Sequence, residues 1–390
     1  MIKIKDKQNC SGCGACMASC PQKCIQMISD QEGFIYPVVD EKNCIDCDAC
    51  VKTCPVISVK TVNNTPIAYA VINKSDKVRQ ESSSGGVFSI IANAVIQKGG
   101  VVFGASFDEK FSVKHIWVDR TEELYMLRGS KYVQSNLNDT YQQARSFLKE
   151  GRLVYFTGTP CQIEGLYTFL KYDYENLITS DLICHGVPSP KVWELYLKHL
   201  EDKASSNVRF FSFRDKTYSW EQFASKVEFL DGSQNIKIHF KDPYMKAFLR
   251  NLSLRPSCYS CAFKGVNRKS DFTLADFWGI NNLLPQMNDK RGTTLLLVNT
   301  DKGREIFEQI KNEITFEPVK LAEAIKYNSA AIKSVSKPKK RDEFMSKINS
   351  KKFKKIVDKY SKNSIYNKFK SKIYSIYKRF SQNQQKKHLD

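Results

Sequence analysis

Apolar and polar positions in this chain change period several times between residues 66 and 330. Short β-rich or unbroken apolar runs predict strands at Ala68–Val71, Val101–Phe107, Arg152–Thr157, Leu177–Ile183 and Thr294–Asn299. Spacing of three and four residues predicts helices at Val87–Gln97, from about Gln162 to Leu170 and from about Lys302 to Ile310. Phe223–Phe229 and Ile236–Phe240 flank Asp231-Gly232, a hairpin signal. Strands alternating with helices predict an α/β (α+β) body with a mixed sheet over residues 66–330. Residues 1–60 are loop-like and dense in cysteine, and Val62-Asn63-Asn64-Thr65-Pro66 links them to the body. From residue 331 to 390 lysines alternate with apolar residues at helical spacing. Phe353, Ile356, Val357 and Tyr360 share one face, as do Phe369, Ile373, Tyr377 and Phe380, which predicts a basic helical tail.

Composition adds limits. The 390 residues suffice for two or three domains, and 42% hydrophobic residues suit an ordinary globular protein. No apolar run reaches the roughly 18 residues of a membrane span. Met1–Lys7 has no apolar signal core, so the expected location is cytoplasmic. There the 13 cysteines are expected as metal ligands or free thiols, not disulfides. The net charge of +20 is uneven. Ala331–Asp390 holds 19 Lys/Arg against 4 Asp/Glu, a net +15. A solvated tail is the plain reading. An anionic inner membrane surface and an acidic ferredoxin are the alternative partners. No fold signal supports nucleic acid.

The N-terminal region is a duplication. Cys10-Ser-Gly-Cys13-Gly-Ala-Cys16-Met-Ala-Ser-Cys20-Pro21 recurs as Cys44-Ile-Asp-Cys47-Asp-Ala-Cys50-Val-Lys-Thr-Cys54-Pro55. Each copy has the bacterial ferredoxin spacing for a 4Fe-4S cluster. Three thiolates in a tight loop reach three irons, and the fourth, before the proline, points to the other cluster. Cys10, Cys13, Cys16 and Cys54 are therefore expected on one cluster, and Cys44, Cys47, Cys50 and Cys20 on a second. Zinc would favour two separated C-x2-C pairs per site. Cys24 breaks the symmetry and reads as a small buried side chain.

Four further cysteines lie in the body. Cys161 follows Gly158-Thr159-Pro160, Cys184 ends a predicted strand, and Cys258 and Cys261 form a C-x2-C pair. Converging at the carboxyl edge of the sheet, where open α/β sheets place ligands, they would complete a third 4Fe-4S site. Two buried free cysteines beside a zinc or redox pair satisfy the spacing as well.

The order Ser83-Ser84-Gly85-Gly86, Gly129-Ser130-Lys131-Tyr132, Gly158-Thr159-Pro160-Cys161-Gln162, Cys184-His185-Gly186, Cys258-Tyr-Ser-Cys261 and Leu274-Ala-Asp276-Phe277-Trp278-Gly279 resembles the beta subunit of coenzyme F420 hydrogenase/dehydrogenase, in its form fused to an N-terminal ferredoxin domain. The resemblance covers roughly residues 1–330. It implies an FAD beside a 4Fe-4S cluster held by Cys161, Cys184, Cys258 and Cys261. It also implies electron transfer between the clusters and a small-molecule substrate at the flavin. Bacterial relatives of this length sit among genes for surface polysaccharide synthesis.

No G-x-G-x-x-G follows a strand, so the flavin rests on the resemblance. The expected contacts are Ser84, Gly85 and Gly86 before a helix, Ser130, Lys131 and Tyr132, and Thr157, Gly158 and Thr159 at a strand–helix turn. A helix start suits a phosphate, although Ser82–Gly86 also reads as an ordinary N-cap. Lys131 suits a phosphate or the flavin's N1–C2 edge, and equally a solvated surface. Arg291-Gly292-Thr293-Thr294 is a further candidate to close the pocket. His185 reads as a local hydrogen-bonding group ahead of a proton donor, and Phe277 and Trp278 as core. The expected protein is an iron–sulfur flavoprotein oxidoreductase fed by a ferredoxin or another redox protein. The alternatives are an F420 dehydrogenase proper and a non-catalytic electron relay.

Overall fold

A computed structural model of the chain describes residues 1–58 and 62–361. The strands are β1 (Ile25–Ser29), β2 (Ile35–Val39), β3 (Ile67–Asn73), β4 (Val101–Phe107), β5 (Val113–Val118), β6 (Val154–Thr157), β7 (Leu177–Leu182), β8 (Val208–Asp215), β9 (Ala224–Phe229), β10 (Gln234–Ile238), β11 (Phe272–Asp276), β12 (Thr294–Val298) and β13 (Ile314–Val319). Eight of them form a mixed sheet in the order β13-β3-β12-β11-β7-β6-β4-β5. Its centre, β4, β6, β7 and β11, is parallel, and antiparallel strands extend both edges.

The parallel centre forms because its strands are apolar on both faces. Val101, Phe103, Val154 and Phe156 pack with Tyr141, Ile163, Leu166 and Phe169 of helices Thr140–Lys149 and Pro160–Leu170. Val102, Tyr155 and Ile178 pack on the other face with Ile91 and Val95 of helix Val87–Gln97 and Ile306 and Phe307 of helix Asp301–Ile310. Helices on both faces leave the carboxyl ends of β6 and β7 free to build a site. A second antiparallel sheet, β10-β9-β8, packs through Phe211, Phe213 and Val227 on helix Pro190–Ala204.

The N-terminal unit is fastened to the body. Its duplicated loops carry the β1–β2 hairpin between them. Cys13 and Ala15 belong to the body's own apolar core. The linker is tied down too, since Asn64 Nδ2 donates to the carbonyls of Arg268 at 2.7 Å and Asn299 at 3.0 Å.

The C-terminal segment differs from the expected free tail. Phe344, Met345, Ile348, Phe353, Val357 and Tyr360 are buried in the body core beside Tyr196 and Tyr244. The face shared by Phe353, Val357 and Tyr360 is therefore covered by protein and not available to a membrane. The face of Phe369, Ile373, Tyr377 and Phe380 lies outside the described residues. No helix among the described residues is long and apolar enough to cross a membrane.

Candidate redox centres and cavity

The two N-terminal loops share one backbone. Gly12 and Gly14 adopt φ of 72° and 73°, and their counterparts Asp46 and Asp48 adopt 49° and 56°. These left-handed kinks, favourable for glycine and costly for aspartate, curl each loop around its thiols. Main-chain amides then point at sulfur: Gly12 at Cys10, Ala15 at Cys13 and Met17 at Cys16. The charges of Cys10, Cys13, Cys16 and Cys54 bear on one another, and burial with these neighbours pushes Cys16 up to about 12. Cys10, Cys13 and Cys16, held above the usual thiol range by burial, would ionise readily only beside a positive centre.

Cys20, Cys44, Cys47 and Cys50 line a second small cleft, with the Ile2 amide 3.3 Å from Cys50 Sγ. Cys24 is buried as expected, but it also borders this cleft, with its sulfur 3.4 Å from that of Cys20.

The body brings its four distant cysteines together. Cys161 starts helix Pro160–Leu170, where Thr159 and Gln162 form a capping box. Cys184 follows β7, and Cys258 and Cys261 sit on and after the turn Pro256–Ser260. Burial pushes Cys161, Cys184 and Cys258 each up to about 12, and the mutual charges of the four thiols add to this. Amides of Val187 and Phe263 lie 3.4 Å from Cys258 Sγ and Cys261 Sγ.

Among the described residues no three His, Cys, Asp or Glu side chains approach closely enough to hold a single metal ion. The charges of Cys161, Cys184, Cys258 and Cys261 bear on one another, and a cluster whose irons take one thiolate each is a group that such a set suits. The first set and the body set adjoin. Gly165 lies one helical turn beyond Cys161, and a Cβ there would stand 3.1 Å from Cys13 Sγ and 2.8 Å from the Tyr141 hydroxyl.

A cavity of about 750 Å³ opens at the carboxyl ends of the parallel strands. Cys161 and Cys184 line one part, and Ser82–Ser84, Gly86 and Gly129–Tyr132 line another. The N-terminus of helix Val87–Gln97 faces in, with Gly86 at its cap, so free amides meet the cavity. The two turns are joined, since the Ser130 amide and hydroxyl both bond Ser83 Oγ, at 2.8 and 2.9 Å.

The expected contacts divide. Ser84, Gly86, Ser130, Lys131, Tyr132, Thr157, Gly158 and Thr159 all line the cavity. Gly85 does not. It is pressed against β3 and β12, where a Cβ would stand 2.3 Å from the Val71 carbonyl oxygen. Thr294 lines the cavity, whereas Arg291 is paired outside it with Asp76 and Asp289. Lys131 is not a solvated surface lysine. Its Nζ donates to the carbonyls of Met126 and Arg128, both at 2.8 Å, and burial holds its pKa down at about 7. His185 Nε2 donates to Asn251 Oδ1 at 2.7 Å, the local bond expected. Phe277 is core, but Trp278 lines the cavity and stacks on Trp220 at 5.1 Å.

Two cavity residues, His115 and Arg214, and one residue outside the cavity, Arg255, carry no local sequence signal. His115 Nε2 donates to the Thr157 carbonyl at 3.0 Å and its Nδ1 accepts from Ser135 Oγ at 2.9 Å, which fixes the neutral ring. Burial lowers its pKa to about 4. Arg214 is paired bidentately with Asp276, lies 4.0 Å over the Phe223 ring, and keeps a buried Nε without a partner. Arg255 is buried between the first thiol set and the body set.

Cavity size, inward amides and an orphaned guanidinium nitrogen fit a large anionic organic cofactor with a flat ring system. Residues 9–57 match the family model of the 4Fe-4S dicluster domain. Residues 151–323 match the family model for the C terminus of the beta subunit of coenzyme F420 hydrogenase/dehydrogenase. A solved structure of the F420-reducing NiFe hydrogenase complex from Methanosarcina barkeri, derivatised with xenon, aligns with 16% identity and a TM-score of 0.46. That alignment covers 69% of this chain and 91% of the other. No curated protein matches the chain.

Proposed function

We propose that this chain, an iron–sulfur electron-transfer protein that joins a 4Fe-4S dicluster domain to the C-terminal region typical of F420 hydrogenase/dehydrogenase beta subunits, is an FAD-dependent oxidoreductase acting on a small molecule. The observation that carries this reading is the shared cavity. Its thiol end, Cys161 and Cys184, is continuous with its helix-N-terminus end at Ser82–Ser84, Gly86 and Gly129–Tyr132. When bound, clusters supply single electrons and a flavin pools two of them for transfer to an organic substrate.

The chain's residues divide the work. Cys20, Cys44, Cys47 and Cys50 hold the entry cluster, whose Cys47 is exposed. Cys10, Cys13, Cys16 and Cys54 hold the next, and Cys161, Cys184, Cys258 and Cys261 the third. Ser84, Gly86, Ser130 and Lys131 bind the cofactor's anionic groups, while Thr157, Gly158, Thr159 and Tyr132 bracket its ring. Trp278, Phe223 and Phe248 keep water from its face. His185 and His239 line the same cavity and can pass a proton to substrate. The donor is a ferredoxin or similar redox protein, and the location cytoplasmic. The resemblance points to a carbohydrate-related substrate in surface polysaccharide synthesis.

The experiment is anaerobic. The reconstituted chain, mixed with a reduced low-potential ferredoxin, should bleach its own tightly held FAD. A chain that cycles its clusters but holds no flavin is an electron relay, and the proposal fails.

A further inference from the structure

Arg255 is completely buried, and its guanidinium has a defined seat. Nε donates to the Cys10 carbonyl at 2.8 Å, Nη2 to the Ile35 carbonyl at 2.9 Å, and Nη1 to Gln134 Oε1 at 3.0 Å. Nη2 also lies 3.6 Å from Cys10 Sγ. The Tyr36 ring lies under it at 4.2 Å, with Phe34 at 5.5 Å. A Cβ on Gly12 would stand 2.9 Å from Nη1, so the glycine makes room for it. On the body side its amide donates to the Val187 carbonyl, and its own carbonyl accepts from the Cys258 amide, both at 3.0 Å.

No carboxylate among the described residues stands within ion-pair distance of Arg255. A guanidinium is always charged, and a buried charge without a counter-charge is costly. Its neighbours of opposite sign are thiolates. Its Nη2 lies against Cys10 Sγ of the first set, and its main chain holds both the Cys258 amide and Val187, whose own amide lies 3.4 Å from Cys258 Sγ of the body set. None of its side-chain hydrogen bonds reaches Cys20, Cys44, Cys47 or Cys50 of the second set.

We infer that Arg255 is the counter-cation shared by the first dicluster site and the body site, and that it sets their reduction potentials above that of the second dicluster site. This rests on the reading above that each thiol set holds a cluster. Adding an electron makes a cluster more negative, so a fixed cation nearby favours the reduced form and raises its potential. The second site, beyond its reach, stays lower. Electrons entering at the exposed Cys47 then run downhill to the cavity. Arg255 is a positioning residue for charge and touches no substrate.

Redox titration of the full reconstituted chain, followed by electron paramagnetic resonance, tests this. In Arg255→Gln the midpoints of the first-site and body clusters should fall while the second-site midpoint stays. Arg255→Lys should restore most of the shift, since the charge returns without the fork. Three unchanged midpoints at full iron content, or one equal shift of all three, overturn the inference. If the Gln variant takes up no iron, the wild-type order decides: a second-site midpoint above the other two overturns it. A wild-type iron count of about eight instead of about twelve removes the body cluster itself, a separate failure visible in the count.

Discussion

Arg341, near the C-terminal end of the described chain, closes a bidentate ion pair on Glu32, which lies between β1 and β2 of the N-terminal unit. Its Nη2 also donates to the Leu254 carbonyl at 2.8 Å, one residue before Arg255. One side chain thus spans the N-terminal domain, the body and the C-terminal segment. The arrangement holds the dicluster unit against the body thiols.

Breaking that tie should cost stability. Arg341 is buried and Glu32 only partly so, which places Arg341→Ala at about 2 kcal/mol. Urea unfolding of the reconstituted chain reads this directly, and an unchanged midpoint would leave the pair without a structural role.

The C-terminal segment should behave as core. Phe353 is fully buried against Tyr196 at 5.3 Å, so Phe353→Ala should cost ~3 kcal/mol. Truncation at Ser334 should lower the melting temperature and cofactor retention together. A truncated chain that melts like the full one would return the segment to the status of a tail.

Gly165 should control the approach of the first thiol set to the body. Gly165→Val forces a side chain onto Cys13 Sγ and the Tyr141 hydroxyl. The expected outcome is loss of one cluster, from about twelve irons to about eight. Iron analysis and spin counting check it, and a full complement of iron would show that the contact yields without cost.

His115 should make stability depend on pH. Its folded pKa of about 4 lies below the usual 6.5, so the unfolded chain binds more protons between those values. The stabilising contribution is complete above pH 6.5 and is lost as pH falls toward 4. Between pH 6.5 and 5 the loss is about 2 kcal/mol. His115→Gln should flatten this slope, and equal slopes in the two proteins would contradict the buried neutral ring.

Much of the N-terminal chemistry was legible because it is local. The duplicated cysteine loops lie within about ten residues each, and their spacing alone places the thiols. The body site is not local. Cys161, Cys184 and Cys258 meet only once β6, β7 and the turn at Pro256–Ser260 are assembled, so spacing left a zinc pair open. β4, β6, β7 and β12 were readable from apolar runs, but β5, β8 and β11, which also contribute cavity residues, were not. Neither was β13, because it is a mostly exposed edge strand without clean alternation and with a proline at position 318. Arg255 and His115 carry meaning only through what surrounds them. The period of Phe353, Val357 and Tyr360 announced a covered face, but a period cannot say what covers it.

The measurement closest to the central claim is iron and acid-labile sulfide per chain, on protein reconstituted without oxygen, for the wild type and for Cys258→Ser with Cys261→Ser. Three clusters of four predict about twelve irons in the wild type and about eight in the double variant, with flavin reduction lost in the latter. About eight irons in both proteins, or zinc in place of iron, would contradict the wiring of the thiol sets into the cavity.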